Sequence, residues 1–228
     1  MRIVVLTGAG ISAESGVPTF RDAEGLWHGH RVEDVATPEA YERQPGLVHR
    51  FYDQRRAALS SAEPNDAHRA LARLEDAVGD DLLVVTQNID DLHERGGSRR
   101  VLHMHGRLRS ALCRGCLRRF EWTGTLGDRP PCPHCGRREL RPDVVWFGEL
   151  PYEMDRIHDG LARAELFVSI GTSGVVHPAA GFVLYAAGQG ARTVELNLVP
   201  SAASHLFDEA RHGPASRLVP AWVDELLG

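Results

Sequence analysis

The chain is 228 residues long, 43% hydrophobic and 25% charged, and its 31 acidic against 26 basic residues give a formal charge of −5. These values suit a soluble globular protein, one large domain or a domain with an inserted module, and speak against a general nucleic-acid or membrane binder, which would be basic. No apolar run approaches the roughly 18 residues of a membrane-crossing helix, and "MRIVVLTGAG" is too short for a signal peptide, so the expected compartment is the cytoplasm.

In chain order, "RIVVL" (2–6) is a short β-branched run ending in Thr7-Gly8, as a buried parallel strand does. Gly8, Gly10 and Ala13 follow it in a G-x-G-x-x-A pattern. Such glycines let backbone approach a pyrophosphate at a helix N-terminus. Alone the pattern is weak, because strand-to-helix turns favour glycine generally. The ribose-binding acid expected about 20 residues later is not at a strand end, since Glu33 and Asp34 lie in a polar stretch. That speaks against hydride-transfer use of the site.

Residues 28–66 read as polar and helical, with turn signals at Thr37-Pro38, Gln44-Pro45 and Glu63-Pro64. Within them, Tyr52 and Arg55 are three apart and share a helix face. They are either a solvated surface pair or two donors for an anion. Arg56 points about 100° further round and is expected in solvent. A helix follows over 67–78 and a strand over 82–86, which ends in Gln87, Asn88 and Asp90. "VLHMHG" (101–106) offers His103 and His105 as a general base. Each of these polar residues also has a plain reading as a helix cap or a packed side chain.

Residues 108–141 are rich in Cys, Gly, Pro and Arg without strong apolar periodicity. All four cysteines stand here, as Cys113-x2-Cys116, fifteen residues, then Cys132-x2-Cys135. The spacing is that of a four-thiolate zinc site. Such a site leaves no position for water, so one structural Zn2+ is expected, with His134 a bystander; a redox dithiol is the alternative. Residues 107–141 carry nine arginines against three acids, either a solvated surface or a patch for an acidic partner.

Further strands are expected over 143–147, 166–170 and 193–197, with helices over 152–164, 178–190 and 220–228. Strands alternating with helices predict an α/β fold, a Rossmann-like doubly wound parallel sheet. Residues 1–27, 67–107 and 142–228 would form that domain. Residues 28–66 and 108–141 would form the helical and zinc-binding parts of a smaller inserted module.

In combination the motifs are specific. "GAGISAESGVPTFRDAEGLW", "TQNIDDLHERGG", "HMHG", the two CxxC knuckles, "VVWFGE", "GTSGVVHPAA" and "VELNLVP" stand in the order found in sirtuins, the NAD-dependent protein-lysine deacylases. The chain resembles that family over essentially its whole length. "GISAESG" with "FYDQRR" is most similar to the class III branch, whose bacterial members remove acetyl and succinyl groups. The resemblance implies NAD as cosubstrate. The segment from Gly8 to Trp27, Ala13 included, would surround it, with Gly8, Ala9 and Gly10 at its phosphates and Phe20 and Arg21 near its nicotinamide ribose. Gln87, Asn88, Ile89 and Asp90 would line the nicotinamide pocket. Gly171, Thr172, Ser173, Asn197, Leu198, Val199 and Ala215 would hold the adenosine half. His105, immediately before glycine, matches the catalytic base. The substrate peptide would lie extended between "VWFGE" (145–149) and "TSGVV" (172–176), touching Val145, Phe147, Gly148 and Glu149. Tyr52 and Arg55 match the pair that reads the carboxylate of succinyl- or malonyl-lysine. Asp91 and His177 depart mildly from common forms.

The partners so implied are acylated-lysine proteins, with no stable nucleic acid, no membrane and a monomeric state. Three other readings compete: ADP-ribosyl transfer to protein, a zinc-ribbon nucleic-acid binder, and a nicotinamide oxidoreductase.

Overall fold

The computed structural model describes residues 1–19 and 29–228. Strand β1 (Ile3–Thr7) is buried on both faces, as its "IVVLT" sequence requires. A seven-residue 3-10 helix (Ala9–Ser15) follows it where an α-helix was expected. Helices α1 (Val32–Val35), α2 (Pro38–Arg43) and α3 (Pro45–Leu59) occupy the polar stretch. Thr37 caps α2 by accepting from Ala40 N–H at 3.1 Å, and Pro38 and Pro45 occupy first helical turns, where a missing N–H costs nothing. Helix α4 (Asp66–Val78) begins at an Asn65 capping box and buries Ala67, Ala70, Leu71 and Leu74 along one stripe. Strand β2 (Leu82–Thr86), helix α5 (Leu92–Arg95) and strand β3 (Val101–His103) complete the first half.

Strands β4 (Gly106–Cys113), β5 (Arg119–Glu121) and β6 (Leu140–Val144) follow, then α6 (Met154–Ala162), β7 (Leu166–Ile170), α7 (Phe182–Gly188), β8 (Arg192–Asn197), β9 (Glu209–His212) and α8 (Ala215–Leu227). Among the described residues two sheets form. Six parallel strands run in the order β3-β2-β1-β7-β8-β9, and three antiparallel strands in the order β5-β4-β6. Helices α4 and α8 cover one face of the large sheet through Leu71, Leu74, Val219 and Trp222. Helices α6 and α7 cover the other through Ile157, Leu161, Phe182 and Val183. A third core joins α1–α3 to the small sheet, with Phe51, Tyr52, Leu108, Val144 and Trp146 among its members.

The doubly wound parallel sheet is as expected, with one strand reassigned. The run at 143–147 does not enter the parallel sheet. The strand there is β6, 140–144, paired antiparallel to β4, and the apolar "VVWF" straddles its end. Its buried charges are compensated, Arg141 by Glu149 and Asp143 by Arg119. Strands β4 and β5 lie in the stretch read as lacking periodicity, and β9, charged and at the sheet edge, gave no apolar signal. The last helix starts at Ala215 rather than Pro220, which lies inside it. No helix among the described residues is long and apolar enough to cross a membrane.

Candidate active site

The strand order reverses between β1 and β7, the position at which open α/β sheets bind ligands beyond the strand ends. There Gly8 N–H donates to Ile170 O at 3.0 Å and Gly10 N–H to Gly171 O at 2.9 Å. A Cβ on Gly8 would stand 2.8 Å from the Gly171 oxygen, and one on Gly10 2.7 Å from Gly171 Cα. The glycines are thus required by the approach of one protein backbone to another, a cause that the pattern alone does not separate from approach to a phosphate.

Beside this crossing lies a buried polar floor whose hydrogen-bond directions can be assigned. Asn65 N–H donates to His68 Nδ1 at 3.3 Å, so the proton of neutral His68 sits on Nε2, which bonds Ser12 Oγ at 3.4 Å. Ser12 Oγ also accepts from Asn88 Nδ2 at 3.1 Å and donates to Asp90 Oδ2 at 3.0 Å; Leu92 N–H donates to Asp90 Oδ1 at 3.1 Å. Thr7 donates to Thr86 at 2.8 Å and therefore accepts from His93 Nε2 at 2.9 Å. Burial holds both imidazoles neutral, His68 down to about 4 and His93 to about 3, and raises the Asp90 carboxyl above its ordinary value. Ser12, His68 and His93 were not singled out in the sequence; the i, i+3 pair Asn65 and His68 at a helix start was the available signal.

The two histidines of "HMHG" are sorted by their partners. Both ring nitrogens of His103 are engaged with acceptors, Asn88 O at 3.2 Å and Glu94 Oε1 at 2.8 Å. His105 Nδ1 meets Gln87 O at 3.0 Å, and a carbonyl only accepts, so neutral His105 carries its proton on Nδ1 and a lone pair on Nε2. Burial lowers the His105 pKa and the Gln87 bond partly opposes this. Its imidazole is therefore neutral at pH 7, with a ring nitrogen able to accept a proton.

Helix α3 supplies the third component. Tyr52 is fully buried, and Trp146 Nε1–H donates to its hydroxyl at 3.0 Å. Arg55 lies with its guanidinium carbon 3.2 Å from the Phe51 ring centre and donates to Phe51 O at 2.7 Å. Burial lowers its pKa to about 10, with the nearby Tyr52 opposing. Arg56, expected in solvent, is instead buried. It donates to Leu108 O at 2.7 Å, Asp53 Oδ1 at 2.7 Å and Gly124 O at 3.2 Å, fastening α3 to the small sheet. A helical angle says which way a side chain leaves the axis, and here a second layer covers that side.

A cavity of about 900 Å³ joins these parts. It reaches Gly8–Gly10 and Ala13, Tyr52 and Arg55, Gln87 to Asp90, and His105. It also reaches 145–149, 171–173, 197–199 and Ala215. Phe20, Arg21 and Trp27 lie outside the described residues. At one end Asn197 Nδ2 donates to Thr172 O at 2.8 Å, and Leu198 and Val199 are apolar yet 66% and 63% exposed. Glu149 lines the cavity, but its carboxylate is taken by Arg141, at 2.6 and 2.9 Å, and by Trp146 N–H at 2.8 Å. Trp146 was passed over in the sequence between Val145 and Phe147, although strand alternation places its side chain opposite theirs.

The four cysteine sulfurs all lie within 4.8 Å of one another, with Cys113 to Cys135 at 3.6 Å and Cys116 to Cys132 at 3.8 Å. A tetrahedron with Zn–S bonds of ~2.3 Å has edges of about 3.8 Å, so the donor set fits a four-coordinate zinc. His134 is outside it, its ring on Arg118. Of the nine arginines of 107–141, five reach carboxylates elsewhere in the chain, Arg107 to Glu94, Arg109 to Asp91, Arg114 to Glu42, Arg119 to Asp143 and Arg141 to Glu149. Much of the positive patch is spent on internal pairing.

Comparison with known proteins agrees with this architecture. The Sir2 family model matches residues 8–178. An NAD-dependent protein deacylase of Salmonella typhimurium is 56% identical over 99% of this chain and 84% of its own length. One of Bdellovibrio bacteriovorus is 54% identical over 99% and 96%. The solved structure of a Sir2 homologue in complex with NAD superposes with a TM-score of 0.89 at 39% identity, covering 100% of this chain and 91% of that one. With the family model matching most of its length, and relatives more than 50% identical over 99% of it, the chain belongs to the Sir2 family.

Proposed function

We propose that the protein is an NAD-dependent protein-lysine deacylase that removes succinyl and malonyl as well as acetyl groups. The observation that carries this reading is that one cavity holds His105, with its Nε2 lone pair, and the Tyr52–Arg55 pair. Its volume of about 900 Å³ lies near the top of the ~300–1,000 Å³ range of ligand pockets, room for a dinucleotide together with an acylated side chain. The Gly8–Gly10 crossing and Thr172 would hold the phosphate and ribose portions, Leu198 and Val199 the adenine, and Asn88 and Asp90 the nicotinamide.

When bound, NAD would supply an electrophilic ribose carbon for the acyl oxygen, with nicotinamide as its leaving group. His105 Nε2 accepts a ribose hydroxyl proton, and its Nδ1–H stays on Gln87 O, which fixes the ring. The Gln87 carbonyl also steadies the imidazolium so formed. Tyr52 O–H and the Arg55 guanidinium bind the distal carboxylate of a dicarboxylic acyl chain. The peptide lies along 145–149 and 172–176, where Phe147 and Val175 offer exposed apolar side chains (45% and 42%). The ribose oxygen freed by His105 would bond to the acyl carbon, and one water, consumed as the acyl C–N bond breaks, would complete the release of lysine, nicotinamide and O-acyl-ADP-ribose.

On this reading residues 1–27, 67–107 and 142–228 carry the cosubstrate, and 28–66 with 108–141 form the smaller module. The protein acts as a cytoplasmic monomer on acylated proteins. The test is incubation with acylated peptides with and without NAD, followed by mass spectrometry. NAD-dependent loss of the acyl mass from peptide supports the reading. A gain of ADP-ribose by protein with intact acyl-peptide would replace it with ADP-ribosyl transfer.

A further inference from the structure

Of the two histidines in "HMHG", the deacylation chemistry occupies only His105. His103 closes the edge strand β3, where it stands opposite Thr86 of β2. It is 6% exposed, and its Nδ1 lies 3.2 Å from the main-chain oxygen of Asn88, two residues beyond the end of β2. A carbonyl only accepts, so this contact is an N–H donated by His103. His105 Nδ1 holds the Gln87 carbonyl in the same way at 3.0 Å. The two rings thus grip consecutive carbonyls of a segment that lines the cavity. We propose that His103 is a positioning residue that fixes Asn88 through its main chain, and so sets how tightly the site holds the nicotinamide half of NAD and free nicotinamide.

Asn88 is held on three sides. Its N–H donates to Thr86 Oγ1 at 3.0 Å and its Nδ2 to Ser12 Oγ at 3.1 Å. Among the described residues, His103 is the one partner of its carbonyl. The residues on either side are anchored without His103. Gln87 N–H donates to Thr7 O at 2.9 Å, Ile89 O accepts from Leu108 N–H at 2.8 Å, and Asp90 is bound by Ser12 and Leu92. Loss of the His103 bond therefore frees the peptide group between Asn88 and Ile89 and leaves the rest of the segment in place. Ordering that group again when ligand binds costs affinity. The ring is braced from its far side, where Nε2 meets Glu94 Oε1 at 2.8 Å and Arg107 donates to the same oxygen at 3.1 Å. Helix α5 and strand β4 thus supply the support, and His103 carries it to Asn88.

The proposal rests on the reading that Asn88 lies at the nicotinamide, and the experiment separates the two. Three variants are compared with wild type. His103→Asn keeps an amide N–H near the place of Nδ1, His103→Gln puts its amide toward Glu94 instead, and His103→Leu keeps neither. The measurements are the Kd for NAD by calorimetry and the inhibition constant of nicotinamide, with the Kd of an acetyl-lysine peptide in the absence of NAD as control. Loss of one neutral hydrogen bond predicts a roughly 3- to 10-fold rise in both constants for the Gln and Leu proteins. The Asn protein should stay near wild type, and the peptide Kd should not move in any of them. Equal rises in all three variants, or a peptide Kd that rises as much, would overturn the proposal by making His103 a packing residue. The contrast between Asn and Gln serves even where the Leu protein folds poorly. Asn88→Ala tests the underlying reading. If it weakens nicotinamide inhibition while no His103 variant does, the proposal falls and the reading survives. If Asn88→Ala leaves inhibition unchanged, the reading fails and this proposal with it.

Discussion

Acidification should dismantle the floor of the cavity. His93 and His68 are buried and neutral, pushed down to about 3 and about 4, chiefly by burial. In the unfolded chain each titrates near ~6.5. The folded values lie below the unfolded ones, so the unfolded chain binds more protons as pH falls. The contribution of the two groups is complete above about pH 6.5 and drains away toward their folded values. Each adds a slope of about 1.4 kcal/mol per pH unit, about 2.7 for the pair between roughly pH 6 and 4.5. Over ~1.5 units that is about 4 kcal/mol, a large share of the ~5–15 kcal/mol that stabilises a typical domain. Urea unfolding across this range is the assay, with His68→Gln and His93→Gln alongside wild type. Each substitution, which keeps a donor and an acceptor but does not titrate, should flatten the slope by about 1.4 kcal/mol per unit. If neither variant flattens it, these histidines are not the buried neutral groups that hold Ser12 and Thr7 in place.

Arg55→Met should lower the succinyl-to-acetyl ratio of kcat/KM by about 10- to 100-fold, since bonds to a charged group contribute ~1.5–3 kcal/mol. Equal losses on both peptides would mean that Arg55 only supports the pocket. His105→Ala should cut turnover by ~10²–10⁴-fold while NAD still binds by calorimetry. Because burial lowers the His105 pKa, the wild-type acid limb of kcat/KM should fall below ~6.5, and a limb above that value would contradict the assignment. Cys132→Ala, or chelation, should release one zinc per chain by atomic absorption and lower Tm, because only a small cluster (Ala111, Leu126 and Leu140, with half-buried Phe120 and Trp122) backs the knuckles among the described residues. Activity should then fall alike on both peptides, and retained Tm and activity after zinc loss would show the metal to be dispensable.

The parallel sheet was legible because its strands are buried on both faces and read as unbroken β-branched runs, as Ile3–Thr7 does. The small sheet was not: β6 is "LRPDV", buried through ion pairs that no hydropathy pattern reveals. Spacing found the zinc ligands because two tight knuckles suffice to bring four sulfurs together. At the site, sequence placed Tyr52 and Arg55 on one helix face, but the Trp146 bond to Tyr52 joins residues 94 positions apart. Arg56 was misplaced for the same reason: its acceptors Leu108 O and Gly124 O come from the distant small sheet and the loop beyond it. Choosing His105 over His103 from the residues alone required knowing that Glu94 and two main-chain carbonyls would converge on the two rings.

The most direct test of the central claim is product stoichiometry in early turnover. Enzyme, NAD and a succinyl-lysine peptide are combined, and free-lysine peptide, nicotinamide and O-succinyl-ADP-ribose are quantified together by mass spectrometry. Equal amounts of all three are predicted, because His105 serves a reaction in which the acyl group ends on the ribose. Free-lysine peptide accompanied by free succinate, without nicotinamide or an ADP-ribose ester, would show simple hydrolysis and contradict the account.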